Sequence, residues 1–207
     1  MLLVNNLSIE RSGKCLFQNL DISVPLHAII QIKGRNGIGK TTLIKILANI
    51  IIPKTGDIYW NGKSILKNPY DYFKSLALIM DINTSKEDMT VYENIIFWKN
   101  LFLSNIHKNE IDGLLEMLNM QNNKNTMVKN LSYGEKRKLE ISRLVIEKKK
   151  LWLFDEPYLG LDQKTINIVN ETIRNHTKGE GMVIFTSHYQ LEMRNVNIIN
   201  LEDYAIN

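Results

Sequence analysis

The spacing of apolar residues changes character twice along this chain. Residues 2–10 and 16–24 alternate apolar and polar positions, most regularly in the second stretch, and predict two short strands around a turn at residues 11–14. Residues 27–32, His-Ala-Ile-Ile-Gln-Ile, form a nearly continuous apolar run expected of a buried strand, and residues 42–48 are apolar at helical spacing. A turn at residues 53–56 precedes a predicted strand over 57–62 that ends on Asn61-Gly62. From Thr90 the period becomes helical, and Thr90 followed three residues later by Glu93 is a capping-box signature. That helix continues through Ile95, Ile96, Phe97, Trp98, Leu101 and Phe102; a second runs through Ile111, Leu114, Leu115 and Leu118; a polar loop over 119–130 and a third helix over 135–147 follow. The apolar stripe of the first is wider than one packing face requires, so core packing takes most of it and residues 92–102 are the expected partner-docking surface. After this helical stretch the strand pattern returns. Leu151-Trp152-Leu153-Phe154 and residues 182–186 read as parallel strands buried on both faces, separated by a helix over 163–176 and a glycine turn at 179–181. The pattern predicts one α/β domain over residues 1–207, with an N-terminal antiparallel β subdomain and a helical lobe inserted at roughly residues 85–147.

Composition narrows the class without naming a chemistry. A chain of 207 residues with 44% hydrophobic and 23% charged residues has room for one good-sized domain. No run approaches the ~18 uninterrupted apolar residues of a membrane span, and the first residues show no secretory pattern. Cys15 stands alone, so no internal disulfide is expected. The net charge of +4 gathers at Lys136, Arg137, Lys138, Arg143 and residues 148–150, which fits a solvated helix with lysines near its C-terminus; no nucleic-acid partner is expected.

The chemistry enters between the third predicted strand and its helix. Gly34, Arg35, Asn36, Gly37, Ile38, Gly39, Lys40 and Thr41 satisfy every fixed position of the phosphate-binding loop G-x-x-x-x-G-K-[ST]. Its glycines let successive backbone N–H groups turn toward phosphate oxygens at a helix N-terminus, Lys40 reaches the β- and γ-phosphates, and the Thr41 hydroxyl is placed for Mg²⁺; Thr42 completes the set. Asp155-Glu156 follows the run 151–154, at the carboxyl end of a predicted parallel strand where ligands bind in such sheets. Asp155 is expected to hold Mg²⁺ and Glu156 to orient and polarise an attacking water. Ser132 and Gly134 open the predicted helix 135–147 as a second helix N-terminus suited to phosphate. His27, His107 and His176 read as ordinary surface or core residues, whereas His188 stands at the end of the last predicted strand.

Residues 131–135, Leu-Ser-Tyr-Gly-Glu, resemble the LSGGQ signature of ATP-binding cassette (ABC) ATPases, and they precede Asp155-Glu156 by about 20 residues as in that family. Leu161-Asp162 resembles the family's D-loop, and Thr186-Ser187-His188 resembles the segment carrying its switch histidine, so the resemblance spans essentially the whole chain. It implies a P-loop NTPase of ABC type that binds ATP and Mg²⁺, with Glu156, His188 and Lys40 catalytic and with Ser132 and Gly134 binding the nucleotide of a second copy in a head-to-tail homodimer. It also implies integral membrane permease partners and a peripheral place on the cytoplasmic face of the inner membrane. Within the family, the compact length, the stretch 89–98 and the divergent signature look most like the ATP-binding subunit of the haem exporter of cytochrome c maturation; another small exporter is the alternative, and a non-transport ABC ATPase the third class. Two positions depart from the family. Residues 76–90 lack its glutamine, with Asp81 or Asn83 the nearest substitute, and Arg11 stands where an aromatic usually stacks on adenine.

Overall fold

A computed structural model describes residues 1–11, 13–187 and 195–205. It divides into two compact units, Met1–Met80 with Lys150–Pro157 and Asn175–Asn207, and Asp81–Lys149 with Tyr158–Arg174. The first unit holds every strand. β1 (Leu2–Arg11) and β2 (Lys14–Val24) pair antiparallel, β4 (Thr55–Trp60) pairs with β1 on its other edge, and β5 (Lys63–Ser64) closes a hairpin across Asn61-Gly62. Alternation puts Leu2, Val4, Leu7 and Ile9 of β1 inside with Phe17, Leu20 and Ile22 of β2, and the period slips between Val4 and Leu7, where the ladder carries a register shift. The expected turn at 53–56 is shorter than its sequence implies, since Thr55 and Gly56 already belong to β4.

The second sheet is wholly parallel, with the order β6 (Leu76–Ile79), β7 (Leu151–Phe154), β8 (Met182–Thr186), β3 (Ile29–Lys33), β9 (Val196–Asn200). β7 and β8 are buried at every residue, which is why they read as continuous apolar runs. α1 (Lys40–Leu47) follows β3 and packs near β7 and β8 through Leu43, Ile44, Ile46 and Leu47. Among the described residues α2 (Pro69–Ser75), β5, β6 and β9 have no counterpart in the sequence pattern. α2 is one short helix opened by Pro69, and Tyr72 anchors it: the ring lies 5.7 Å from that of Trp60, and the hydroxyl donates to the Leu47 carbonyl.

The second unit is helical. α3 (Val91–Leu101) begins on Thr90, whose side chain accepts from the Glu93 N–H while the Glu93 carboxylate accepts from the Thr90 N–H, the reciprocal cap expected from the sequence. α4 (Lys108–Met117) and α5 (Tyr133–Glu147) follow, with two short 3₁₀ turns in the polar segment between them, and α6 (Gln163–Lys178) begins in this unit and ends in the first. α3 packs on α5. Within residues 92–102, Ile95 and Trp98 lie in the core, Trp98 only 2% exposed, as the core-packing part of the expectation requires. The apolar surplus that faces solvent lies at the helix C-terminus, on Leu101 and Leu103.

Candidate functional site

The parallel sheet brings three loop starts to one edge. Strands β3, β8 and β7 are successive neighbours and run the same way, so residues 34–41, Ser187 and Asp155-Glu156 all leave the carboxyl ends of adjacent strands. The loop after β3 is open where a phosphate needs it open. Gly34, Gly37 and Gly39 have φ of 148°, 80° and 114°, and Gly39 caps α1 with no side-chain hydrogen bond and no acidic residue in the first turn. The uncapped N-terminus of α1 and its positive dipole end suit an anion. Gly34 has a second constraint: a Cβ there would lie 2.9 Å from Cγ2 of buried Ile38, the side chain that anchors the loop from below.

Lys40 folds over this loop, its Nζ donating to the carbonyls of Gly34 at 2.9 Å and Arg35 at 3.3 Å. Burial lowers its pKa from the ordinary lysine value, and the charges of Glu156, Asp155 and Glu202 oppose that shift, which places all three carboxylates within electrostatic reach of the ammonium. Arg35 is exposed and its N–H donates to Glu202 Oε1 at 3.0 Å. Thr41 and Asn36 are exposed, whereas Thr42 is buried.

At the end of β7, Asp155 is 6% exposed and its N–H donates to the Ile79 carbonyl at 2.9 Å. Glu156 takes a left-handed backbone, φ 47°, a conformation that costs an ordinary residue free energy and that neighbouring contacts must hold. The holder is Thr186 of β8. Its hydroxyl donates to Asp155 Oδ1 at 2.8 Å and accepts the Glu156 N–H at 2.8 Å, fixing both acidic residues with one side chain. Gln31 of β3, 1% exposed, extends the same layer by donating to the Ser187 carbonyl at 3.3 Å. Gln31 stood out in the sequence only as a polar letter in an apolar run, and Thr186 only as the first residue of the segment resembling the switch histidine, with nothing to show its bridge to Asp155 and Glu156.

The donor set can be tested against Mg²⁺. Thr41 offers a hydroxyl and Asp155 a carboxylate, both hard oxygen ligands, and among the described residues no cluster of three His, Cys, Asp or Glu exists. Two protein oxygens with the remaining positions left to phosphate and water is the coordination Mg²⁺ favours, so the residues fit that ion.

In the helical unit, Ser132 is the N-cap of α5 and Gly134 lies in its first turn. This N-terminus differs from that of α1 because the chain fills it itself. The Ser132 hydroxyl and N–H both donate to Glu135 Oε2 at 2.8 Å, and Asn123 Nδ2 donates to Glu135 Oε1 at 2.9 Å. Those hydrogen bonds, led by the Ser132 N–H, hold the Glu135 carboxyl below the usual carboxylate range. Asp81 accepts from the Tyr133 hydroxyl at 3.1 Å, and Asn83 is exposed. Leu161 is half-buried, and Asp162 accepts the Thr165 N–H at 2.7 Å at the start of α6. Arg11 is an exposed residue at the end of β1, and His188 lies outside the described residues.

The sequence profile of the family described as "ABC transporter" matches residues 17–159. The chain is 36% identical to the cytochrome c biogenesis ATP-binding export protein CcmA of Reclinomonas americana, over 93% of this chain and 87% of that protein. It is 32% identical to the protein of that name from Dechloromonas aromatica, over 93% and 95%, and 29% identical to that from Haemophilus influenzae, over 97% and 95%. The fold is that of a putative ABC transporter ATP-binding protein from Pyrococcus furiosus, with a TM-score of 0.86, 24% identity and 99% of each chain covered. An ATP-binding cassette of an ABC transporter in its ADP conformation superposes with a TM-score of 0.78 at 20% identity, over 96% of this chain and 87% of that one.

Proposed function

The chain belongs to the ATP-binding subunits of the ABC transporter family, and from that premise we propose that it is the ATPase of a haem exporter required for c-type cytochrome biogenesis. The observation that carries the hydrolytic part is the sheet edge on which Lys40 feels the charges of Asp155 and Glu156 while Thr186 fixes both acids. The cargo rests on relatives that share nearly their whole length with this chain and are named for cytochrome c biogenesis export.

In this reading residues 1–207 form one ATP-binding domain whose helical lobe spans roughly 85–147. Gly34 to Thr42 wrap the phosphates, and Lys40 exchanges its two loop carbonyls for β- and γ-phosphate oxygens. Thr41 and Asp155 would hold Mg²⁺, which would supply charge stabilisation on the phosphate oxygens. Glu156 accepts the proton of the water that attacks the γ-phosphorus, ADP leaves, and His188 serves as the switch histidine toward the γ-phosphate. Ser132 and Gly134 serve the ATP of a second copy, so the working unit is a homodimer with two composite sites. Among the described residues no helix is long and apolar enough to cross a membrane, and the lipid-embedded path is supplied by permease subunits, with this chain peripheral on the cytoplasmic face of the inner membrane.

Purified protein should hydrolyse ATP with Mg²⁺, and Glu156→Gln should lower turnover about a hundredfold or more while nucleotide binding persists. Unchanged turnover in that variant removes Glu156 as the base. For the cargo, Lys40→Ala in the cell should abolish haem-stained c-type cytochromes; normal staining with this subunit inactive would sink the haem assignment.

A further inference from the structure

One buried acid in the helical unit has no part in the site described above. Glu140 lies near the middle of α5, 1% exposed, among Leu139, Ile141 and Leu144, which form the apolar face of the helix. An apolar residue would serve that packing better, because taking a carboxylate out of water is costly unless its oxygens are paired. The pairing is with one short piece of chain. Oε1 accepts the N–H groups of Thr84 at 2.7 Å and Ser85 at 2.8 Å, and Oε2 accepts the Thr84 hydroxyl at 2.8 Å. These are short, charge-assisted bonds. Arg143 Nε stands 3.5 Å from Oε2.

Seven residues earlier, on the same side of α5 by helical period, Tyr133 donates its hydroxyl to Asp81. Its ring rests on Gly160: a Cβ at that residue, φ 72°, would lie 3.1 Å from Tyr133 Cε1. The segment 81–85 is thus fastened to α5 at both ends. The buried Ser85 hydroxyl has no hydrogen-bond partner among the described residues, so the segment's place is set by the Glu140 bonds to the Thr84 and Ser85 N–H groups. On its other side this segment continues directly from β6, whose last residue, Ile79, accepts the N–H of Asp155.

We propose that Glu140, assisted by Tyr133, is a positioning residue for hydrolysis: it makes segment 81–85 move with α5, so that a displacement of the Ser132-Gly134 end is carried along the chain to the Ile79–Asp155 pair. The inference rests on the ATPase reading and goes beyond it. Glu140 touches neither nucleotide nor water in this account; it acts through Asp155. A residue that only stabilised the fold would change the denaturation midpoint and leave the balance of kcat and binding alone.

The test uses the full-length protein with Mg-ATP for turnover and a fluorescent ATP analogue for equilibrium binding. Wild type against Lys40→Ala tests the ATPase reading by itself. Glu140→Gln, which keeps the volume and one acceptor, should lower kcat about tenfold while nucleotide Kd stays within about twofold. Thr84→Val and Tyr133→Phe lie on exposed side chains that the fold can spare, and each should lower kcat about threefold with the same unchanged Kd. Amide exchange over 82–86 should rise in all three variants whether or not they turn over, and the Glu140→Gln/Thr84→Val pair should cost no more than Glu140→Gln alone. Wild-type kcat in Thr84→Val and Tyr133→Phe, additive losses in the pair, or unaltered exchange over 82–86 would each overturn the proposal.

Discussion

Thr186 is the residue on which the two acids depend most directly. Its hydroxyl serves Asp155 as donor and the strained Glu156 backbone as acceptor, so Thr186→Val removes both bonds while keeping the shape. Turnover in that variant is expected to fall about ten- to a hundredfold with nucleotide affinity retained, and Thr186→Ser to stay near wild type; steady-state hydrolysis of a valine variant at the wild-type rate would exclude the role. His176 gives a second prediction at this scale. Its ring stacks on Trp152, centroids 3.6 Å apart and planes within 4°, and its Nε2 meets the Lys150 carbonyl at 3.2 Å. Burial drives its pKa from 6.5 down to about 4, so the folded chain refuses a proton that the unfolded chain accepts. Stability is therefore complete above about pH 6.5 and is lost progressively as pH falls toward 4, with about 1–2 kcal/mol gone by pH 5 after allowance for partial exposure. Urea midpoints at pH 7 and pH 5 should separate in wild type and converge in His176→Phe. Gly181 adjoins the same ring, and any Cβ there would overlap it, so Gly181→Ala is expected to cost about 1–3 kcal/mol by overpacking, read from the same denaturation curves. Of these residues the sequence marked Lys40, Asp155 and Glu156 through motif and spacing. It could not mark the bridging roles of Thr186 and Gln31, whose meaning depends on β8 lying between β3 and β7.

Among the elements, α1 and α5 show what a helix N-terminus can be used for. α1 begins on a glycine that offers no side-chain cap; α5 begins on a closed capping box in which Glu135 takes the donors of Ser132. Ser132→Ala should cost about 1 kcal/mol of stability, measured by denaturant, in addition to any loss at a partner's nucleotide. In α3, Trp98→Ala should cost about 3–5 kcal/mol because it opens a cavity in the core, while Leu103→Ala, on a side chain 87% exposed, should change stability by about 0.5 kcal/mol or less. The long periodic helices and the fully buried strands were legible because their patterns extend over many residues. β6, α2 and β9 were not. A four-residue run, a seven-residue helix opened by proline and an edge strand of mixed burial each hold too few apolar positions to separate from loop, and only tertiary pairing defines them.

At the scale of the molecule, one chain carries one phosphate loop on its strand-bearing unit and one α5 N-terminus on its helical unit. In the proposed function a phosphate held by Lys40 is completed by Ser132 and Gly134 of a second copy, so ATP would join the two subunits and hydrolysis would release them. The same proposal has the pair alternate between closed and open states beneath the permease. Light scattering of Glu156→Gln in saturating Mg-ATP tests this most directly. The account predicts twice the 24.0 kDa chain mass with ATP and the single mass with ADP, and the single mass with ATP once Lys40→Ala or Ser132→Arg is added. A mass that ignores ATP, or pairing that survives both added substitutions, would contradict it.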